Sequence, residues 1–190
     1  METTLTIVGG ILLGCLIGLS WFAGTDAPYV ATKNERIRKI LKLAGVKKGS
    51  YFYELGSGDG RVVMEAARMG TRAYGIEQSW IRVLWSRYQA RKQQLPNANF
   101  IHGNIFSSLR AERSNLFNAD LIYIFLLPKG VAKLEPILKQ SLKKNAQVIT
   151  QTFHFKNWKP YKKILVTDKN SPNTPLGKDV LEGEFWIYHV

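Results

Sequence analysis

The first long apolar run of the chain extends from Leu5 to Ala23, 19 residues without a charged side chain. At about 1.5 Å per residue a helix of this length spans roughly 28 Å, close to the thickness of the hydrocarbon core of a bilayer. A cleaved signal peptide is the competing interpretation, but it wants a basic amino-terminal region, and here only Glu2 carries a charge before the run. The pattern therefore predicts one transmembrane helix, in an anchor and linker over residues 1–26.

After a turn-forming segment over 24–28, short apolar runs alternate with helix-length amphipathic runs. Ile37, Ile40 and Leu41 share one face of a helix that begins at Asn34, and Gly45 can end it. Further helices are predicted over Arg61–Arg68, Ser79–Gln93 and Lys129–Leu142. The predicted strands are Tyr51–Leu55, Arg72–Ile76, Ala98–Ile101, Asp120–Phe125, Ala146–Thr150, Ile164–Thr167 and Glu184–His189.

This alternation predicts a doubly wound α/β domain over residues 27–190, with a mostly parallel, seven-stranded sheet and helices on both faces. The last two strands have no helix between them, which predicts an antiparallel end to the sheet. Trp80, Leu84 and Tyr88 recur at helical spacing and are expected to pack in the core. Asp120 is expected to have a structural role at the start of the fourth strand.

Charge is distributed unevenly along the chain. Residues 1–32 contain no Lys or Arg, whereas residues 33–190 contain all 27 basic residues and 12 acidic ones, a formal charge of +15. Positive charge near the end of a transmembrane helix favours the inner side of the membrane, so the domain is expected to be cytoplasmic. The basic residues over 33–42 are expected to contact anionic lipid.

The segment Glu54-Leu55-Gly56-Ser57-Gly58-Asp59-Gly60-Arg61 lies between a predicted strand and a predicted helix, where doubly wound sheets bind ligands. Its spacing fails the Gly-x-Gly-x-x-Gly dinucleotide fingerprint, and the chain has no Gly-Lys-Ser/Thr of a phosphate-binding loop. An acid at Glu54 would repel a pyrophosphate but suits an ammonium group, such as the one on the methionine moiety of S-adenosylmethionine (SAM). An ordinary glycine-rich turn is the alternative.

Two further positions strengthen the prediction of a SAM site. Glu77 ends the second strand, 19 residues after Gly58, where an acid usually accepts hydrogen bonds from ribose hydroxyls. Asn104 follows the third strand, where class I methyltransferases tend to place Asp or Asn against the adenine amine, although a simple turn residue explains it equally well. The predicted cofactor-binding residues are Glu54, Gly56, Ser57, Gly58, Asp59, Gly60, Glu77, Asn104 and Ile105, with S-adenosylhomocysteine as the product.

Five motifs in one order then carry a family resemblance: APYVAT over 27–32, ELGSGDGR over 54–61, GIE over 75–77, IFLLP over 124–128, and Phe153-x-Phe155-x-x-Trp158. Together they resemble the membrane-anchored class I methyltransferases whose mitochondrial members methylate lysines of the ATP synthase c subunit and the adenine nucleotide translocase. The likeness runs from about residue 27 to 158. It departs from the family pattern at Glu54, where Asp is commoner, and at Ala31, where the family has Pro.

The resemblance implies a class I methyltransferase (Rossmann-like) fold, SAM as donor and a protein lysine as acceptor, in a membrane-protein substrate. It places Phe125 and Pro128 beside the transferred methyl group, and Tyr29 and Thr32 in a lid over the site. No general base is predicted. A bacterial plasma membrane is preferred over the mitochondrial inner membrane, since the chain has no basic, Ser-rich presequence.

Other functions remain as alternatives. A nucleic-acid or small-molecule amine methyltransferase is disfavoured because the fourth strand ends in Phe-Leu-Leu-Pro rather than Asp/Asn-Pro-Pro-Tyr, and no nucleic-acid partner is expected. A catalytically silent SAM-binding membrane module is disfavoured by the presence of both Glu54 and Glu77. No metal site is predicted, since His102, His154 and His189 lack the spacing of metal ligands.

Gly10, Gly14 and Gly18 recur every four residues and so line one face of the predicted transmembrane helix. Small residues at this spacing let two helices approach closely. The stripe could support a homodimer or the docking of a substrate helix, or it could reflect only the abundance of glycine in such helices.

Overall fold

The computed structural model describes residues 2–22, 32–111, 118–166 and 183–190. The helices of these ranges are α1 (Glu2–Phe22), α2 (Asn34–Leu43), α3 (Arg61–Arg68), α4 (Trp80–Lys92), α5 (Ile105–Ala111) and α6 (Pro128–Ser141). The strands are β1 (Tyr51–Leu55), β2 (Arg72–Glu77), β3 (Ala98–His102), β4 (Leu121–Ile124), β5 (Gln147–Gln151), β6 (Lys162–Leu165) and β7 (Glu184–His189).

The seven strands form one sheet in the order β3-β2-β1-β4-β5-β7-β6. The first five in this order are parallel, and β7 runs antiparallel to both β5 and β6. The predicted doubly wound sheet with an antiparallel end is therefore confirmed. Strand order reverses between β1 and β4, and ligands of such sheets bind outside the carboxyl ends of the strands at this switch point.

Apolar side chains fill both faces of the sheet. On one face α2, α3 and α4 bury residues such as Ile40, Val63 and Val83 in one cluster with residues of the strands. On the other face, α5 and α6 bury residues such as Leu109 and Leu134. The sheet is thus held between two helical layers, and its carboxyl edge presents the loops that follow β1, β2, β3, β4 and β5.

The apolar segment near the amino terminus forms α1, as its length predicts, and every described side chain from Thr3 to Gly18 is exposed. Within the described ranges, no helix is long and apolar enough to cross a membrane. The prediction of a transmembrane helix over Leu5–Ala23 is therefore not confirmed.

The predicted core role of Trp80, Leu84 and Tyr88 is wrong. These side chains are 56%, 52% and 56% exposed. The buried face of α4 consists instead of Arg82, Val83, Ser86 and Ala90. The less apolar face points inward because it supplies small side chains for close packing against the sheet and an arginine that reaches a buried carboxylate.

Most predicted elements differ from the structure by one residue at an end, and strand β6 and helix α5 differ by more. Strand β6 covers Lys162–Leu165 rather than Ile164–Thr167, and Thr167 lies outside the described residues. This strand is at the edge of the sheet and only Ile164 in it is buried, so its apolar pattern is weak. Helix α5, Ile105–Ala111, was not predicted and is only seven residues long.

Candidate SAM-binding site

The glycine-rich loop after β1 folds tightly over the end of β2. The backbone N–H groups of Gly56 and Ser57 both donate to the carbonyl of Ile76, at 2.9 and 3.0 Å. Gly60 has a φ of +79°, and a Cβ added there would lie 2.5 Å from the Phe100 ring and 2.8 Å from Ser86 Oγ. Only glycine fits this backbone conformation in so little space.

The same close packing extends to Gly75, one residue of the GIE motif. A Cβ at Gly75 would lie 2.7 Å from both Cβ and Oγ of Ser57. The Ser57 hydroxyl is buried, and its oxygen has no hydrogen-bond partner among the described residues. The loop is therefore packed closely against β2, with the Ser57 hydroxyl enclosed beside Gly75.

Glu77, at the end of β2, holds the loop in place through both of its carboxylate oxygens. Oε2 accepts a hydrogen bond from the backbone N–H of Gly58 at 2.8 Å, and Oε1 accepts one from that of Ser79 at 2.9 Å. Buried Arg82 lies 3.8 Å from Oε1 and balances the charge. Each carboxylate oxygen can accept more than one hydrogen bond, so Glu77 can still accept one from a ligand hydroxyl.

Glu54, near the end of β1, is also buried, but the hydrogen bonding of its carboxyl group is incomplete. Its Oε2 has no hydrogen-bond partner in the described part of the chain. Burial raises the pKa of Glu54 well above its ordinary value, and the neighbouring Asp59 carboxylate raises it further. A carboxyl group in this state is stabilised by a cation that enters the site.

The Asp59 carboxylate pairs with Arg61, which offsets part of its negative charge at the loop. Nη2 of Arg61 lies 2.6 Å from Asp59 Oδ2, and Nε lies 3.0 Å from both carboxylate oxygens. The same guanidinium donates through Nη1 to the carbonyl of Thr32 at 3.2 Å. Arg61 thus ties the segment before α2 to the glycine-rich loop.

Asn104 directly precedes α5 and is exposed. Its Oδ1 accepts hydrogen bonds from the backbone N–H groups of Phe106 and Ser107, at 2.9 and 3.4 Å. The turn interpretation accounts for these bonds, since they satisfy two donors at a helix start. Ile105, the next residue, lies closer to Gly56 of the glycine-rich loop than the Asn104 side chain does. Its Cδ1 would be 3.7 Å from a Cβ built on Gly56.

Thr32 is buried at the carboxyl edge of the sheet, where its hydroxyl donates to Gln151 Oε1 at 3.1 Å. The hydroxyl of Tyr123 on β4 donates to the same oxygen. Gln151 ends β5, and both Gln151 and Tyr123 are fully buried. Sequence reasoning missed Gln151, although parallel strands end at one edge and a polar residue at the end of β5 should lie beside those of β1 and β4.

Of the other three predicted catalytic residues, the structure describes Phe125 and Pro128 but not Tyr29. Phe125 follows β4 directly, is half-buried and packs against the core beneath α2 and α3. Pro128 is exposed at the first turn of α6, and Tyr29 lies outside the described residues. Leu126 is near the site, since its Cδ2 would lie 3.1 Å from a Cβ at Gly56.

The sequence also predicts a structural role for Asp120 and no metal site. Asp120 accepts a hydrogen bond from the Tyr51 backbone N–H at 2.7 Å and pairs with Lys143, at the amino ends of β1 and β4. These contacts fit its predicted structural role. Among the residues with described positions, no cluster of three or more His, Cys, Asp or Glu could hold a metal ion.

Comparison with known proteins identifies the fold. A solved RNA methyltransferase from Salinibacter ruber, in complex with S-adenosylhomocysteine, superposes with a TM-score of 0.67 at 27% identity and covers 84% of this chain and 93% of its own. A SAM-dependent methyltransferase from Thiobacillus denitrificans, also in complex with S-adenosylhomocysteine, gives a TM-score of 0.53 at 21% identity over 62% of this chain and 48% of its own. The second likeness supports the fold alone.

Proteins related in sequence indicate the family more closely than the solved structures do. A protein-lysine N-methyltransferase of Saccharolobus islandicus is 29% identical over 150 residues, which cover 77% of this chain and 89% of that protein. The human lysine N-methyltransferase of the ATP synthase c subunit is 31% identical over 134 residues, 70% of this chain. This chain spans only 54% of the length of the human protein.

The family model described as the ANTKMT methyltransferase domain matches residues 54–162, which include the glycine-rich loop, Glu77 and Gln151. The predictions of a methyltransferase and of SAM as its cofactor are confirmed by these comparisons. The chain therefore belongs to the ANTKMT methyltransferase domain family.

Proposed function

We propose that this chain transfers methyl groups from SAM to a lysine of a membrane protein while α1 holds it at the membrane. The buried carboxyl of Glu54, with one oxygen lacking a partner among the described residues, is the observation that carries the donor site. The names of the Saccharolobus and human relatives support lysine as the acceptor.

The donor site fits SAM in three respects. Glu54 would bind the ammonium of the methionine moiety, because a cation relieves the cost of burying its charged form. Glu77 would accept a hydrogen bond from a ribose hydroxyl. Ile105 and Leu126 lie close to the backbone of Gly56, at 3.7 and 3.1 Å from where a Cβ would stand, and would border the adenine or the sulfonium region.

SAM supplies an electrophilic methyl group, and the protein has to present a neutral amine in line with it. Removing the proton of a lysine at neutral pH costs about 4–5 kcal/mol, given its ordinary pKa of about 10.4. Phe125, Leu126 and Leu127 give the edge beyond β4 an apolar surface, and an apolar surface lowers the pKa of a lysine that leaves water. We assign the desolvation of the acceptor to this segment.

The hydrogen bonds of Thr32 and Tyr123 to Gln151 fix the start of α2 above the ends of β4 and β5. The bond from Arg61 to the Thr32 carbonyl fixes it from the other side. Tyr29 lies outside the described residues, and we retain it as a candidate acceptor contact on the family resemblance of the APYVAT motif alone.

Membrane attachment is supported by the character of α1. Its described side chains, from Thr3 to Gly18, are exposed and include no charged residue. A helix that is apolar on all sides is normally covered by protein or lipid. We propose that α1 enters a bacterial plasma membrane, or a mitochondrial inner membrane, with the basic domain on the inner side, and that Gly10, Gly14 and Gly18 face a substrate helix or a second copy.

Attachment is tested by alkaline carbonate extraction of membranes that contain the full chain. We expect the chain to stay in the membrane pellet and its Cys15 to resist a water-soluble maleimide. Release into the supernatant together with rapid labelling of Cys15 would disprove the attachment.

The acceptor is tested with the full chain, tritiated SAM, native membranes and total RNA from one source. We expect label in a membrane protein, and mass spectrometry should place it on lysine. A Gly58→Arg variant, which fills the loop at a residue with a φ of +53°, is the inactive control. Label in RNA instead would favour the activity named for the Salinibacter structure and overturn the lysine assignment.

A further inference from the structure

Helix α4 exposes a broad apolar face to the surroundings. Trp80, Leu84, Trp85 and Tyr88 are each roughly half exposed and recur at spacings that place them on one side of the helix. The rings of Trp85 and Tyr88 lie 6.0 Å apart, so they form a continuous patch. We call these four residues the α4 aromatic face.

The charges that α4 itself carries are of one sign. Helix α4 contains no Asp or Glu, and it exposes Arg87 between Trp85 and Tyr88, and Arg91 and Lys92 after them. Arg87 also donates to the Phe100 carbonyl, at 2.7 Å through Nη2, which holds its guanidinium against β3. Aromatic rings with a hydrophobic body and a polar edge, flanked by cations, are typical of segments in the headgroup region of a membrane.

The basic helix α2 belongs to the same surface. A groove between the helices of this layer is lined by Lys33 and Glu35 at the start of α2 and by Trp85 and Gln89 of α4. Asp59 also lines the groove, but it is paired with Arg61. Further along α2, Lys39 and Lys42 are exposed.

Helix α1 approaches α4 as well, yet it leaves the α4 aromatic face half exposed. A second copy of the chain fits this face poorly, because self-pairing would bring the arginines and the lysine of two α4 helices together without an acid on either one. An anionic bilayer offers both kinds of contact: its headgroups pair with the cations, and the acyl chains below them accept the aromatic rings.

We propose that the α4 aromatic face lies in the interface of an anionic lipid bilayer, with Lys33, Lys39 and Lys42 on the headgroups beside it. The proposal extends the attachment through α1 proposed above. It adds a second, peripheral contact that sets the orientation of the methyltransferase domain against the membrane surface.

The test uses the full chain in nanodiscs whose lipids carry brominated acyl chains, with one environment-sensitive fluorophore per protein. The first protein is labelled at its native Cys15, which reports on α1. The second carries Cys15→Ser and Leu84→Cys, labelled on the α4 aromatic face. The third carries Cys15→Ser and Leu165→Cys, labelled at an exposed leucine on β6, at the opposite edge of the sheet.

In discs that contain phosphatidylglycerol, we expect the label at 84 to shift to the blue and to be quenched, while the label at 165 stays as in water. Discs of phosphatidylcholine alone, or Trp80→Gln together with Trp85→Gln, should reduce the quenching at 84. Tyr161→Gln, which changes an exposed ring beside β6, should leave it unchanged.

Quenching at Cys15 without quenching at 84 would overturn this proposal and leave the attachment through α1 intact. Quenching at 84 without quenching at Cys15 would support the lipid contact and refute attachment through α1. A response at 84 that requires a single-stranded oligonucleotide, or that depends on protein concentration in detergent, would assign the face to nucleic acid or to a second copy and refute the lipid proposal.

Discussion

The carboxyl ends of β1 and β2 each carry a buried glutamate, and the two are surrounded in opposite ways. Glu77 accepts hydrogen bonds from two backbone N–H groups and lies beside buried Arg82. Glu54 has an oxygen without a partner among the described residues and a raised pKa. Glu77 therefore stabilises the loop without a ligand, whereas Glu54 keeps one carboxylate oxygen for which we propose a bound cation as the partner.

The largest effect is expected from Glu77→Gln. An amide offers one acceptor oxygen where two backbone donors now bind, and its NH2 group would oppose one of them and leave Arg82 without its anion. We expect the free energy of unfolding to fall by about 3 kcal/mol. Urea denaturation measures this change.

The matched control for that prediction is Glu184→Gln. Glu184 begins β7 and pairs at 2.8 Å with Lys163, whose side chain is mostly exposed. Its loss should cost less than about 1 kcal/mol. Equal losses in the two variants would mean that Glu77 is not the residue that holds the loop.

Next in size is Gly60→Ala. The added methyl group collides with Phe100 and Ser86, and the positive φ adds strain, so we expect a loss of about 3 kcal/mol. Gly49→Ala has a similar φ of +83° but nothing within 4 Å of the added Cβ, and should cost only about 1 kcal/mol. Thermal denaturation of both proteins separates collision from strain, and a loss no larger at Gly60 than at Gly49 would contradict the packing described here.

A smaller effect, with a distinct pH dependence, is expected from Glu54→Gln. Because the folded pKa of Glu54 is raised, the folded protein keeps a proton that the unfolded chain gives up, and stability falls as pH rises from about 4.5 towards the folded pKa. The variant should lose this part of the slope and be at least as stable as the wild type at neutral pH. Denaturation curves between weakly acid and neutral pH test this, and a variant less stable than the wild type at neutral pH would show that Glu54 is already satisfied.

The smallest effect is expected at the opposite edge of the sheet, from Asp120→Asn. Burial opposes ionisation there, but hydrogen bonds from Lys143 and the Tyr51 N–H lower the pKa of Asp120. A lowered pKa contributes stability that is present above the unfolded value and lost as pH falls through the folded one. The variant should therefore lose at most about 1 kcal/mol at neutral pH and nothing in strong acid, with SAM affinity unchanged. Weakened SAM binding in this variant would contradict the view that Asp120, at the amino ends of the strands, is independent of the SAM site at their carboxyl ends.

The sheet and the loop after β1 could be predicted because both follow from local pattern: apolar strands of regular length, and glycines at positions that need a positive φ. The orientation of α4 could not be predicted, since its exposed face is the more apolar one. Burial of Arg82 depends on Glu77, a contact between separate elements that periodicity does not encode.

The same reason explains the site residues that were missed. Glu54 and Glu77 stand beside a recognisable glycine motif, so their position indicated a role. Tyr123 and Gln151 follow the end of that motif, Arg61, by 62 and 90 residues. Only strand order brings them next to Thr32. Asn104 shows the converse, a residue at an expected position whose side-chain oxygen is occupied by the start of α5.

The central claim is that Glu54 exchanges its proton for the ammonium of SAM. Calorimetric titration of SAM into the full chain at weakly acid pH, in two buffers with different ionisation enthalpies, measures both affinity and proton release. The account predicts that the wild type releases a proton on binding, and that Glu54→Gln releases none and binds at least about 10-fold more weakly, as expected for the loss of a hydrogen bond to a charged group. Wild-type affinity in Glu54→Gln, or binding without proton release in the wild type, would contradict it.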